Sequence, residues 1–347
     1  MKSLNIQPSF EVTIMRLVVL LLMLCCATYS LGAFQGKGSD YDKAKKLLNS
    51  GKFDQAITVL NKLADDTTKD KKERKDIFLL LSRAYIAKNL SEKAKWAIAK
   101  WLDITPPRIE PDPNKECPPW MKLFYDTWKE KYGSPAIERP DPGIQTIAVL
   151  DFANRSIDDR EKFDPLQKGF ADLMIAQLQG SVQLKVVERE RINWILSEIG
   201  LENEPGKFDE KTAVRVGKQL GVNVILFGSF FKVKEKMKLL SRLVKVETSE
   251  ILATAEADGD ADEFFDVTGK LGEKIAKSIN VVLSKAEVEK STPTKSLDAQ
   301  MKYSEGLVLL EKGNYKGAYD KFTEALTIDP NYEQAKKKAE SIRILIG

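Results

Sequence analysis

Apolar residues recur along this chain with two periods. Up to residue 132, and again from residue 297, they fall three or four positions apart, the spacing of one helix face. Between those stretches, short unbroken apolar runs alternate with helical ones. The run Ile147-Ala148-Val149-Leu150 has the continuity of a strand buried on both faces, ending at Asp151-Phe152. The pattern after it predicts a helix over 169–178, a strand over 184–187, and helices over 191–199 and 209–220. Three strands then follow over 224–233, 237–246 and 251–257, and a last helix over 262–283 aligns Phe264, Leu271, Ile275, Ile279 and Val282 on one stripe. Strands alternating with helices, then a meander, give an α/β fold: a mixed sheet with packed helices, flanked at both ends by all-α helical hairpins.

The helical ends carry a repeat grammar. Gly51, Asn89 and Gly313 sit where a chain turns between two helices, and Ala56, Ala94, Ala318 and Ala325 sit where two helices cross closely. Pro106 and Pro330 stand where the second helix stops. These spacings resemble the tetratricopeptide repeat, with Ser82 where that family usually has glycine. The resemblance implies binding surfaces made from first helices, so Arg83, Ile86, Tyr303, Leu307 and Leu310 are the candidate protein-binding residues. Trp120, Leu123, Phe124 and Trp128 recur at helical spacing after the first repeats and read as a capping helix. The tail beyond Tyr332 offers Ala335, Ala339, Ile342 and Leu345 to cover the last pair, leaving the face around Tyr303, Leu307 and Leu310 for recognition. The divisions are helical repeats with their cap over 38–132, a Pro/Gly linker over 133–143, the α/β domain over 144–285, a linker over 286–296 and a C-terminal repeat with its cap over 297–347.

Ahead of the repeats, Met15-Arg16 precede a short apolar core and then small residues up to Ala33, the order of a secretory signal peptide over 1–33, with Met15 an alternative start. Cys25 or Cys26 would carry a lipid anchor if acylated, but neither follows a small residue. That leaves Cys117 as the thiol of the processed chain and excludes an internal disulfide framework. The expectation is an exported, periplasmic protein, associated with the outer membrane through partners or an anchor. The 347 residues include no histidine, so Ser-His-Asp and Cys-His catalysis are out of reach and the commonest zinc ligand is missing. With 55 basic against 51 acidic residues, no global field invites nucleic acid. Neither a Walker loop nor a dinucleotide Gly-x-Gly-x-x-Gly is present. The expectation is therefore no catalytic residue, no metal site, no cofactor and no enzyme activity.

Four pieces of the middle domain stand in order: Ile147-Ala148-Val149-Leu150-Asp151-Phe152, Val187-Glu188-Arg189, Gly221-Val222-Asn223-Val224-Ile225-Leu226-Phe227-Gly228-Ser229, and Val244 through Leu252. Together they resemble the CsgG-like domain of bacterial envelope proteins. The resemblance implies a non-catalytic role in assembly or secretion of cell-surface structures, with envelope proteins bound through the repeats and homo-oligomers formed through the CsgG-like domain. Relatives of the fold also include flagellar-motor accessory proteins and activators of cell-wall synthases, which supply the alternative role. The curli channel inserts through long hairpins, and the spacing here leaves no room for them. Read structurally, Asp151 caps a loop, Glu188 and Arg189 mark a strand-to-helix junction, Gly228 admits a close backbone, and Ser249 takes a turn position where the family often has glycine.

Overall fold

The computed structural model describes residues 37–105, 110–133, 144–181, 183–201, 208–281, 283 and 291–346. The signal peptide and both of its cysteines, most of the first linker and half of the second lie outside the described residues.

The chain begins with two helical hairpins, α1 (Lys37–Asn49) with α2 (Phe53–Ala64) and α3 (Lys71–Ala87) with α4 (Ser91–Ile104). Gly51 and Asn89 take left-handed backbone angles at the two turns, and Ala56 and Ala94 are fully buried where the helices cross. Asp70 starts α3 with a capping box, its side chain accepting from the Glu73 amide while Glu73 reaches back. Helix α5 (Pro118–Tyr132) closes this array with its aromatic stripe turned inward. Trp120 stacks on Phe124 at 5.6 Å and meets Trp101 edge-on at 6.0 Å. The serine at 82 now has a reason: its hydroxyl donates to the Leu79 carbonyl and accepts from the Trp120 indole at 2.7 Å. A glycine there would orphan that buried N–H.

The sheet comprises β1 (Gln145–Asn154), β2 (Leu184–Val186), β3 (Val224–Val233), β4 (Lys236–Lys245) and β5 (Ile251–Asp260). Their spatial order is β2-β1-β3-β4-β5, with β1 parallel to β2 and β3 and the rest antiparallel. Helices α6 (Arg160–Phe163) and α7 (Leu166–Leu178) follow β1, and α8 (Arg189–Glu198) and α9 (Glu210–Leu220) follow β2. Helix α10 (Phe264–Ser278) follows β5 after a short 3-10 turn. One sheet face packs on α7 and α10 through a Phe152, Phe170, Phe230 and Phe264 cluster. The opposite face receives α9, where Gly217 lies so close to Val246 that an added Cβ would meet its methyl at 2.5 Å. Gly228 serves the approach expected of it, since a Cβ there would lie 2.2 Å from the Leu240 carbonyl. Ser249 does adopt the left-handed region, at φ 63°.

Several elements differ from the sequence reading. Strand β5 runs on to Asp260, and α10 ends at Ser278, where Asn280 turns left-handed at φ 57°, while Ile279 stays buried with the rest of the stripe. Val282 lies outside the described residues. The four-residue α6 carries too few apolar positions to show a period.

At the C-terminal end, α11 (Leu297–Glu311) pairs with α12 (Tyr315–Ile328) and is covered by α13 (Glu333–Ile342) and the 3-10 turn Arg343–Leu345. The crossing is tight: a Cβ on Gly306 would lie 2.4 Å from the Phe322 ring. Tyr332, Ala335, Ala339 and Ile342 are buried against the pair, as the tail's spacing implies.

Candidate functional site

Three parts of the chain converge on α8. Asp151 lies within β1 where the register with β3 shifts between Val149 and Phe152. Instead of capping a loop, as its position had implied, Asp151 accepts from Lys168 Nζ at 2.9 Å and from Arg189 at 2.8 Å. Glu311, the last residue of α11, accepts from Arg189 at 3.2 Å, pairs with Lys168, and accepts from Asn193 Nδ2 at 3.0 Å. Burial alone would raise the Asp151 carboxyl, but Arg189 and Lys168 outweigh it and hold it below the ordinary carboxylate range. Arg189 is opposed by burial as well, and Asp151 and Glu311 keep it charged.

Two more polar contacts pin the C-terminal pair. Tyr303 donates its hydroxyl to Asp172 at 2.8 Å, and Lys338 on α13 pairs with Glu190 at the start of α8. Burial pushes Asp172 up despite Lys338, Arg189 and the tyrosine hydrogen bond. For Lys338 burial pulls down, and Glu190 and Asp172 win. Gly169 on α7 meets α11 so closely that a Cβ would clash with Ser304 Oγ at 2.0 Å. Glu188, which caps α8 by position only, is pushed up to about 8 by burial first and then by Glu190 and Glu110.

Beside this network runs a groove. Its wide end, about 600 Å³, is lined by Glu161, Asp164, Lys168, Leu196, Phe208 and Val308 among others. Its narrow end, about 300 Å³, lies between Met121, Trp194, Leu310 and Tyr315. Asn193, Ser197 and Glu311 line both, so α8 forms a common floor. A second cleft, about 590 Å³, opens where the two helical ends meet, between Leu48, Phe53, Arg83 and Glu116 on one side and Glu340, Arg343 and Ile344 on the other.

The candidate binding residues divide accordingly. Arg83 lines the second cleft, but its guanidinium is taken up by Glu116, with Nε to Oε2 at 2.8 Å. Ile86 is 6% exposed and belongs to the core. Tyr303 and Leu307 are 1% and 2% exposed, inside the core that α11, α12 and α13 make among themselves. They form no open recognition face, because α12 and α13 cover that side. Leu310 reaches the narrow end of the groove. Asn193, Ser197 and Glu311 were missed. For the first two the signal was the polar stripe Glu190, Asn193, Ser197 beside the apolar Ile192, Trp194, Ile195 and Leu196 of the same helix; Glu311 had none.

Residues 135–241 match the family model of the curli production assembly/transport component CsgG. The match runs from before β1 into β4 and stops short of β5 and α10, which the sequence reading had included. Among solved structures, the LpoB C-terminal domain from Escherichia coli is 14% identical, covering 33% of this chain and 82% of that one, with a TM-score of 0.26. Lipoprotein GNA1162 from Neisseria meningitidis is 16% identical over 40% of this chain and 95% of its own, with a TM-score of 0.28. The hypothetical protein CT253 from Chlamydia trachomatis gives 13%, 39%, 95% and 0.26. Likeness this weak fixes no role for the chain. Comparison with the curated proteins finds no match. Among the described residues no helix is long and apolar enough to cross a membrane.

Proposed function

We propose that this chain is an exported, non-catalytic protein of the bacterial envelope that binds other envelope proteins, its α/β domain held between two tetratricopeptide-type ends. The observation that carries the proposal is the convergence on α8: a groove walled at once by α5, the α/β domain and the C-terminal pair is built for a macromolecular contact. The family match of residues 135–241 supports the envelope setting. The buried alanines at the helix crossings support the repeat reading.

Within that role we favour regulation of a partner enzyme, such as a cell-wall synthase, over the building of a channel. Val233 pairs with Lys236, so only two residues turn the β3–β4 hairpin and none of it extends beyond the sheet. Assembly or secretion of surface structures is the second reading, supported by the family match alone.

Crosslinking in intact cells followed by isolation of envelopes tests the proposal. The expected outcome is a processed chain joined to a small set of envelope proteins, a synthase among them. A chain that keeps its first 33 residues and crosslinks to cytoplasmic proteins would refute it. Strong thermal stabilisation by a nucleotide or metal would refute the non-enzymatic part.

A further inference from the structure

We propose that the groove over α8 receives an extended polypeptide segment of the partner that presents a lysine or arginine side chain among apolar ones. The inference rests on the partner-binding role proposed above and names the chemistry of what enters.

The charges decide the sign. Asp151 and Glu311 are neutralised in place by Lys168 and Arg189. Glu161 and Asp164, on the other wall of the wide end, have no cation partner among the described residues. Asp164 accepts from Asn154 Nδ2 at 2.8 Å and from Gln167 at 3.5 Å, both through Oδ1, and among the described residues no donor is paired with Oδ2. Among the described lining residues, Lys312 is the one cation besides the already engaged Lys168. An anionic ligand such as a phosphate would meet these carboxylates and be repelled, whereas an ammonium or guanidinium would be held by a charge-assisted hydrogen bond.

Shape narrows the class further. The two ends, about 600 and about 300 Å³, share Asn193, Ser197 and Glu311 in their linings, which fits a chain segment entering along α8. An extended chain advances about 3.3 Å per residue and turns alternate side chains to opposite sides. It would lay its backbone over the Asn193 and Ser197 side chains and its apolar side chains between Met121, Trp194 and Leu310.

The test is panning of a random peptide library, displayed on phage, against the full chain, followed by fluorescence polarisation with synthetic versions of the enriched peptides. Enrichment of Lys or Arg at one position beside apolar residues is expected. Ser197→Trp, an exposed substitution that fills the floor, should weaken those peptides at least tenfold. The pair Glu161→Gln and Asp164→Asn should weaken the cationic peptides severalfold while leaving norleucine-substituted versions unchanged, a split that misfolding would not produce. No enrichment, enrichment of acidic peptides, or binding indifferent to Ser197→Trp would overturn the proposal. The two readings fail separately: if Ser197→Trp abolishes no peptide binding yet the envelope crosslinks persist, the partner-binding role stands and only the groove is wrong.

Discussion

The two helical ends join the α/β domain by opposite means. At the N-terminal seam, α5 presents aromatic surface: Tyr125 lies 5.4 Å from Trp194, and these helices share one continuous apolar core with the sheet. At the C-terminal seam, the helix pair keeps a core of its own and meets α7 and α8 through Asp151, Lys168, Arg189, Glu311, Asp172, Tyr303, Glu190 and Lys338. An apolar seam is strong and indifferent to direction. A buried ionic seam gains little net energy but fails badly when one partner is lost, so it fixes register. The first arm therefore shares the core of the sheet, and the second, joined to that core through Met301 alone among its buried apolar residues, is held in position chiefly by polar contacts.

Trp120→Ala is the largest expected disruption. It removes a fully buried ring and one of the two hydrogen bonds of the Ser82 hydroxyl, at about 3–5 kcal/mol, and the N-terminal helices and sheet should melt together in one calorimetric transition. Two separate transitions would break the comparison.

Arg189→Met should cost about 3 kcal/mol by leaving Asp151 and Glu311 short of a cation. The loss should be local. Hydrogen exchange is expected to rise along the face of α11 against α7 while the core of α11–α13 stays protected. Replacing Asp151, Lys168, Arg189 and Glu311 together by apolar residues should recover most of the stability, since no charge is then left alone.

Titration sharpens the contrast. Glu188 is raised from 4.5 to about 8 by burial and by Glu190 and Glu110, so within that interval the folded chain holds a proton the unfolded chain releases. Its contribution is complete below pH 4.5 and is lost as pH rises through 8. Glu188 is partly exposed, so the slope should amount to about 1–2 kcal/mol in denaturant melts, and Glu188→Gln should flatten it.

A smaller gain is expected at the α7–α10 crossing. Gln177 is fully buried with neither amide atom bonded, and its Oε1 lies beside Gly272. Gln177→Met should stabilise the chain by about 1 kcal/mol. A loss of stability would mean that the amide has a partner.

What was legible in the sequence follows from the range of each interaction. The strands and helices could be read because Val224 through Val233 and the Trp120 stripe advertise burial by period alone. The joins could not. Asp151 and Glu311 stand 160 residues apart, and a charge beside its distant partner looks in sequence like any solvated one. Tyr303 and Leu307 were placed on the correct helix, but a period tells that a face is apolar without telling whether the chain's own tail or a stranger covers it.

The 3-10 turn Arg343–Leu345 carries one more consequence. Ile344 lies across the cleft from Leu48 and Phe53, and the turn packs on α3, so the two helical ends meet and the molecule is buckled on itself. Under tension applied between residues 37 and 346, that contact is loaded in peel, one side chain at a time, before the ionic seam bears any load in shear. An optical-trap extension should show a short, low-force step ahead of the main rip, and a single rip would contradict it. Anchored at one end and tugged at the other, such a protein would open its buckle first, and the cleft lined by Arg83 would register the pull.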